Sequence, residues 1–255
     1  MLNFEGIGIP LLTIEKNEKT EKEKKEKKVI VSIGEGARHS VETIELPSDQ
    51  HFQQAINTES ERSILYIAGQ SGSGKSHYTR CYVRQYHSQY PKRDVFLFSA
   101  LDSDTTLDAC KYIRRIKLSE ELAELSSVDF KDSLVIFDDT DCVTSKPIKR
   151  LVVGILNSVL QTGRHHNVSV IYTSHSITNG QETKLILSEC SSITIFPSGM
   201  GGRSLKYLLD GYLGLDKKQI LYLKGLKSRF VTILKCFPMV IFSEKNAIIC
   251  NKITV

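Results

Sequence analysis

The sequence predicts an α/β protein with a mainly parallel sheet flanked by helices. Two observations predict it. Short apolar runs recur from residue 64 onward, at 64–68, 95–98, 134–137, 168–172 and 193–196. Apart from Ser169 and Thr194 these runs are apolar, as strands covered on both faces are, and helical stretches at 75–89 and 147–160 separate some of them. At 255 residues the chain accommodates one large domain, or one domain with a small appendage, and needs no disulfide or metal staple.

Composition narrows the class further. The formal net charge is +5 and charged residues make up 25%, which permits a nucleic-acid partner without requiring one. Collagen-like, coiled-coil and wholly disordered chains are excluded by average composition. The six cysteines, Cys81, Cys110, Cys142, Cys190, Cys236 and Cys250, form no CxxC pair, which argues against a zinc ribbon and for reduced thiols. No apolar run reaches the roughly 20 residues that span a bilayer. Residues 1–12 do not read as a secretory leader, so the sequon at Asn167 reads as chance.

The elements follow in order. Residues 9–14 are apolar and contain Pro10, and 29–33 are β-branched and read as a strand. Between them, residues 15–28 carry seven lysines, five glutamates and no apolar residue, the pattern of a solvated insertion joining two strands. Residues 1–58 are therefore expected to form a small N-terminal β extension, with 59–255 as the main domain. Within the extension, 48–57 reads as a short helix opened by Ser48 or Asp49. Pro147 takes a tolerated first-turn position in the later helix.

The strongest motif is Gly69-Gln70-Ser71-Gly72-Ser73-Gly74-Lys75-Ser76. It matches GxxxxGK(S/T) at each fixed position, straight after a strand and opening a helix. Glycines let the backbone wrap an anion with N–H groups inward, and the helix N-terminus favours negative charge. The motif predicts a P-loop that binds ATP·Mg²⁺, in which Lys75 can reach the β- and γ-phosphates and the Ser76 hydroxyl can ligate Mg²⁺. The run Leu134-Val135-Ile136-Phe137 ends in Asp138-Asp139 at a strand's carboxyl end, where ligands of open α/β sheets bind. Asp138 is placed to hold Mg²⁺, and Asp139 to orient or deprotonate the attacking water. A further apolar run ends in Thr173-Ser174-His175, where Ser174 and His175 read either as γ-phosphate sensors or as loop-capping groups.

Together these motifs resemble the additional-strand P-loop ATPases, and more narrowly the FtsK/HerA superfamily. The Gly163-Arg164-His165 step leading into the 168–172 strand is similar to the packaging ATPases of nucleocytoplasmic large DNA viruses. Phe137-Asp138-Asp139-Thr140-Asp141, Thr178-Asn179-Gly180 and Leu226-Lys227-Ser228-Arg229-Phe230 look like giant-virus ATPases, over roughly residues 62–243. The resemblance implies a RecA-like P-loop NTPase that hydrolyses ATP, assembles as a homo-oligomeric ring and drives double-stranded DNA into a capsid. It further implies residence in the virion or host cytoplasm, with capsid or membrane-associated virion proteins as partners. Those families usually carry Gln at the sensor tip, where this chain has His175. By the same analogy an arginine, Arg164 first and Arg203 or Arg229 as alternatives, would reach a neighbour's γ-phosphate. A non-motor ATPase switch, a small-molecule kinase and a virion structural protein remain as other classes; Asp138-Asp139 weighs against the kinase.

Weaker signals stay open. Tyr78, Tyr82, Tyr86 and Tyr90 recur every four residues, as a half-buried stripe or a base-stacking platform. Lys111, Arg114, Arg115 and Lys117, and again Lys146, Lys149 and Arg150, are solvated faces or DNA-facing loops.

Overall fold

The apolar runs lie side by side in a computed structural model that describes residues 1–16, 29–56, 62–178, 180–199 and 201–250. The chain begins with β1 (Leu2–Asn3), β2 (Ile9–Lys16), β3 (Val29–Ile33), β4 (Ser40–Val41), β5 (Thr43–Glu45) and β6 (Gln50–Gln54). Then follow β7 (Ile64–Ala68), α1 (Lys75–Gln89), β8 (Val95–Ser99), β9 (Ile113–Ile116), β10 (Leu134–Asp138), α2 (Lys146–Thr162) and β11 (Ser169–Ser174). The remainder comprises α3 (Gln181–Glu189), β12 (Ser192–Ile195), α4 (Gly202–Lys206), α5 (Lys217–Gly225), β13 (Val231–Leu234), β14 (Val240–Ser243) and β15 (Asn246–Ile249).

The main sheet has ten strands in the order β5-β15-β14-β13-β12-β7-β11-β10-β8-β9. From β12 to β9 every neighbouring pair is parallel, and from β12 to β5 every pair is antiparallel. An extra strand, β11, separates the phosphate-loop strand β7 from the acid strand β10. The central strands are largely apolar because helices cover both faces, with buried polar residues such as Thr173 and Ser174 at the carboxyl end of β11. Ile64, Tyr66 and Ala68 of β7 turn toward α2 and α3, while Leu65 and Ile67 turn toward α1. The tyrosine stripe is part of that second layer. Tyr82 and Tyr86 are buried, and Tyr78 packs edge-on to Phe230, so a packed stripe is what the four residues form.

A second sheet of five strands, β4-β1-β3-β2-β6, is built from the first part of the chain. The lysine-glutamate run connects β2 to β3 as expected, although its residues 17–28 lie outside the described ones. The helix expected over 48–57 is instead β6, which pairs antiparallel with β2 from Leu12↔Gln54 to Lys16↔Gln50. Its sequence, QHFQQ, carries little intrinsic strand preference. Pairing and the burial of Phe52 decide the outcome, because strand propensity depends on context.

The two sheets share a core. Leu2, Leu12, Val31 and Phe52 pack with Phe242, Ala247 and Ile249 of the antiparallel edge. Across the same boundary, β5 adds itself to β15. Removing a fully buried aromatic ring costs about 3–5 kcal/mol. Phe52→Ala should therefore lower the unfolding free energy by about that much, measured by denaturant unfolding. Phe4→Ala, at an exposed ring, should change it by less than about 0.5 kcal/mol.

Candidate functional site

The parallel strands bring their carboxyl ends to one edge, and the phosphate loop closes over it. The Gly69 N–H donates to the Ser174 carbonyl at 3.0 Å, tying the start of the loop to β11. Only glycine fits at 69: a Cβ there would lie 2.6 Å from the Ser73 Oγ and 2.9 Å from the Phe196 ring. Gly74 caps α1 at φ 114°, in the region open mainly to glycine. Gln70, Ser71 and Gly72 are exposed at the tip of the loop, and Ser76 is half-buried in the first turn of α1. The Ser73 Oγ is buried and has no hydrogen-bond partner among the described residues.

Lys75 is buried and folds back under the loop. Its ammonium donates to the Gly69 carbonyl at 3.0 Å and lies 3.6 Å from the Asp139 carboxylate. It also meets the His175 Nδ1 at 3.4 Å, which leaves the Nε2 proton facing the Asp139 Oδ2 at 3.1 Å. Lys75, Asp139 and His175 thus form one contact cluster on three different elements.

Asp138 ends β10 and is only 2% exposed. Asp139 follows at φ 47°, a left-handed backbone that turns its carboxylate toward the loop. The residue joining the two acids is Thr173. Its hydroxyl donates to the Asp138 Oδ1 at 2.9 Å, with the Asp139 Oδ1 at 3.3 Å sharing the proton. The same oxygen accepts the Asp139 N–H at 3.0 Å. Thr173 was not singled out from the sequence. The available signal was its place one residue before the strand's end, beside the acid strand.

Ser174 takes the loop-forming role: its hydroxyl donates to Asp141 at 3.0 Å and accepts the Ser176 N–H at 3.1 Å. His175, half-buried, is the residue of that pair that meets the cluster. Arg164 is not brought to the site of its own chain. It is exposed in the short turn Gly163–His166 before β11, at the far edge of the sheet and about 20 Å of strand from the site. Arg229 sits much closer, with its Cδ 3.6 Å from where a Gly74 side chain would begin. Arg203 is exposed in α4. Of the other resembling stretches, Asn179 lies outside the described residues.

The electrostatics of the acids suit a divalent cation. Burial pushes the Asp138 carboxyl from 3.8 up to about 6, with Asp139 and Asp104 adding to the rise. The Thr173 hydrogen bond and Lys75 offset this only in part. No cluster of three or more His, Cys, Asp or Glu of metal-binding geometry exists among the described residues. Magnesium would accordingly take few protein ligands here, Ser76 and Asp138, and fill its shell with water and phosphate oxygens.

The raised Asp138 value carries a sign for stability. The folded chain holds this proton more tightly than the unfolded chain, so stability falls as pH rises from about 4 through 6. Asp138→Asn should be more stable than the wild type by about 3 kcal/mol at pH 8 without divalent cations, and equal to it at about pH 3 or below. Denaturant unfolding at the two pH values checks this.

Comparison with known proteins agrees with the architecture. No protein-family profile matches the chain. It is 42% identical over 190 residues to the uncharacterized protein V3 of Sputnik virophage, across 73% of this chain and 76% of that one. The cytoplasmic domain of the Thermomonospora curvata type VII secretion ATPase EccC superposes with a TM-score of 0.52 at 13% identity, covering 81% of this chain and 29% of that one. The DNA-packaging ATPase B204 of Sulfolobus turreted icosahedral virus gives a TM-score of 0.44 at 14% identity, over 76% of this chain and 95% of that one, too low to bear on function. The chain therefore belongs to the family of the Sputnik virophage V3 protein, and its fold is that of the P-loop ATPases.

Proposed function

We propose that the chain is a Mg²⁺-dependent ATPase of the FtsK/HerA superfamily. Its hydrolysis would drive double-stranded DNA into a viral capsid. The observation that carries the enzymatic part is the convergence of Lys75, Asp138, Asp139 and His175 at one sheet edge, beneath a phosphate loop. The loop N–H groups and the start of α1 receive the β- and γ-phosphates. Lys75, held meanwhile by the Gly69 carbonyl and Asp139, turns to the γ-phosphate. Asp139, freed of Lys75, accepts the proton of the attacking water. His175, with its Nε2 proton directed into the cluster, donates a hydrogen bond there and takes the place of the usual Gln. A bound magnesium ion supplies charge neutralisation at the phosphates, and Ser76 and Asp138 are the residues that would hold it.

The motor part rests on the Gly163-Arg164-His165 resemblance and on kinship with a viral protein. Arg164 is remote from its own phosphate loop, so in this reading it acts only across a subunit boundary, in a homo-oligomeric ring. Several basic residues have partners within the chain: Arg114 pairs with Asp94, Arg115 with Asp108, and Lys149 donates to the Asp141 carbonyl. DNA contact would fall to the others, such as Lys111 and Lys117. No helix among the described residues is long and apolar enough to cross a membrane. We place the protein in the virion or host cytoplasm, with capsid or membrane-associated virion proteins as partners.

The test is ATP turnover with and without double-stranded DNA, alongside native mass. The wild type should hydrolyse ATP, faster with DNA, as an oligomer. Lys75→Ala should abolish turnover, and Asp139→Asn should keep ATP binding while lowering hydrolysis by about 100-fold or more. Unchanged turnover in Lys75→Ala contradicts the ATPase assignment. A monomer whose turnover ignores DNA contradicts the motor and favours a non-motor switch.

A further inference from the structure

Nothing in the reaction described above uses Arg229, although the fold sets it beside the phosphate loop of its own chain. Strand register explains how. Ala68 at the end of β7 pairs with Ile195 of β12, and Ile195 pairs with Val231 of β13. Because β13 runs antiparallel, the residues just before Val231 stand beyond the sheet edge, on the side where the loop lies. Arg229 is two residues past that level, or about 7 Å of extended chain. Its Cδ comes within 3.6 Å of where a Gly74 Cβ would be.

The backbone at Arg229 is held on both sides. The Ser228 hydroxyl donates to the Phe230 carbonyl at 2.8 Å and accepts the Glu244 N–H at 3.2 Å. The Phe230 ring sits edge-on to Tyr78 of α1 at 5.0 Å and to Phe242 at 6.1 Å. The Arg229 side chain, in contrast, is exposed and makes no hydrogen bond or ion pair among the described residues. With Gly74 and His77 it lines an open cavity of about 410 Å³ between α1, β6 and the segment entering β13. Strand β6 is tied to α1 across that cavity by Gln85, whose side-chain amide donates to the Gln53 Oε1 at 2.5 Å. A rigidly mounted arginine thus carries a guanidinium without a counter-charge next to a loop whose N–H groups are arranged for an anion.

The side on which it stands decides what it touches. Lys75, Asp139 and His175 meet toward β10 and β11, where water and the γ-phosphate come together in the proposed reaction. Arg229 stands on the other side of β7, beyond β12. A triphosphate lying in the loop with its γ-phosphate at Asp139 turns its other two phosphates toward Arg229. The planar guanidinium fork matches a pair of phosphate oxygens.

We propose that Arg229 is a catalytic residue acting within its own chain: its guanidinium binds oxygens of the α- and β-phosphates and stabilises the diphosphate as it leaves. Water attacks the γ-phosphorus and its proton passes to Asp139. The bond from that phosphorus to the β,γ-bridging oxygen breaks, and its electron pair goes to the departing ADP. Arg229 meets the charge that gathers there. The inference rests on the ATP-hydrolysis reading above, and it gives Arg229 a task different from that of a finger reaching a neighbour's γ-phosphate.

The experiment combines ADP affinity, single-turnover hydrolysis at saturating ATP and denaturant unfolding on the full chain. Arg229→Ala should weaken ADP binding about tenfold, slow hydrolysis about 100-fold and leave the denaturant midpoint unchanged. Arg229→Lys, which keeps the charge and loses the fork, should recover part of both losses. If Arg229→Ala fails to fold, Arg229→Gln is measured in its place with the same outcomes expected. Mixing Arg229→Ala with Lys75→Ala chains separates the two tasks. A residue serving its own chain cannot be supplied by another, so the mixture should hydrolyse ATP no faster than its separate components. Recovery of turnover in the mixture would show that Arg229 serves a neighbour and would overturn the proposal. So would wild-type ADP affinity and hydrolysis in Arg229→Ala while Lys75→Ala abolishes turnover, and only this proposal then falls. Turnover by the wild type that does not depend on Lys75 would remove the ATP-hydrolysis reading and the proposal together.

Discussion

The hydroxyl of Thr173 is the joint on which the site depends. Parallel pairing of β11 with β7 sets Ser174 opposite Ala68, and pairing with β10 sets Tyr172 opposite Phe137. That register carries Thr173 to the level of Asp138, where one side-chain oxygen binds both carboxylates and the intervening N–H. Two adjacent acids near a buried lysine repel each other and resist ionising together. A donor fixed between them holds their geometry without supplying a full positive charge. The remaining demand for positive charge is what makes the position suited to Lys75 and a divalent ion. A slip of one residue in either strand pairing would turn Thr173 to the opposite face and dissolve the cluster.

Much of this was legible in the sequence because it is written locally. The phosphate loop has a fixed spacing and an obligatory context, so Gly69 to Ser76 fell where the motif placed them. The buried strands are continuous apolar runs, and the Asp138-Asp139 step marks the end of one. Thr173 was illegible because its role depends on pairing between segments 35 residues apart. The failure at 48–57 has the same cause: QHFQQ becomes a strand only because β2 and the shared core accept it. Arg164 stood out by its local step, yet the register of β11 carries it to the edge opposite the phosphate loop. Arg229 is distant in sequence and becomes a neighbour of Gly74 only through the antiparallel extension of the sheet.

The same extension gives the N-terminal segment a place beside α1. The main sheet does not stop at its parallel core but continues antiparallel until β5 joins its edge. Phe52 and its neighbours pack on that continuation, and this fixes β6 alongside α1. The helix that leaves the phosphate loop thus has a facing wall made from a different part of the chain. Packing of α1 and docking of the first sheet are in this way parts of one arrangement, linked by residues on both sides of a single cavity.

In the proposed reaction the Thr173 hydroxyl holds both acids in place, Asp138 for the metal and Asp139 for the attacking water. Single-turnover ATP hydrolysis by Thr173→Val, with ATP affinity measured on the same preparation, tests it most directly. The prediction is a fall in hydrolysis of about 100-fold with ATP affinity within about threefold of the wild type, and substantial recovery in Thr173→Ser, which restores the hydroxyl. Hydrolysis at the wild-type rate in Thr173→Val would contradict it.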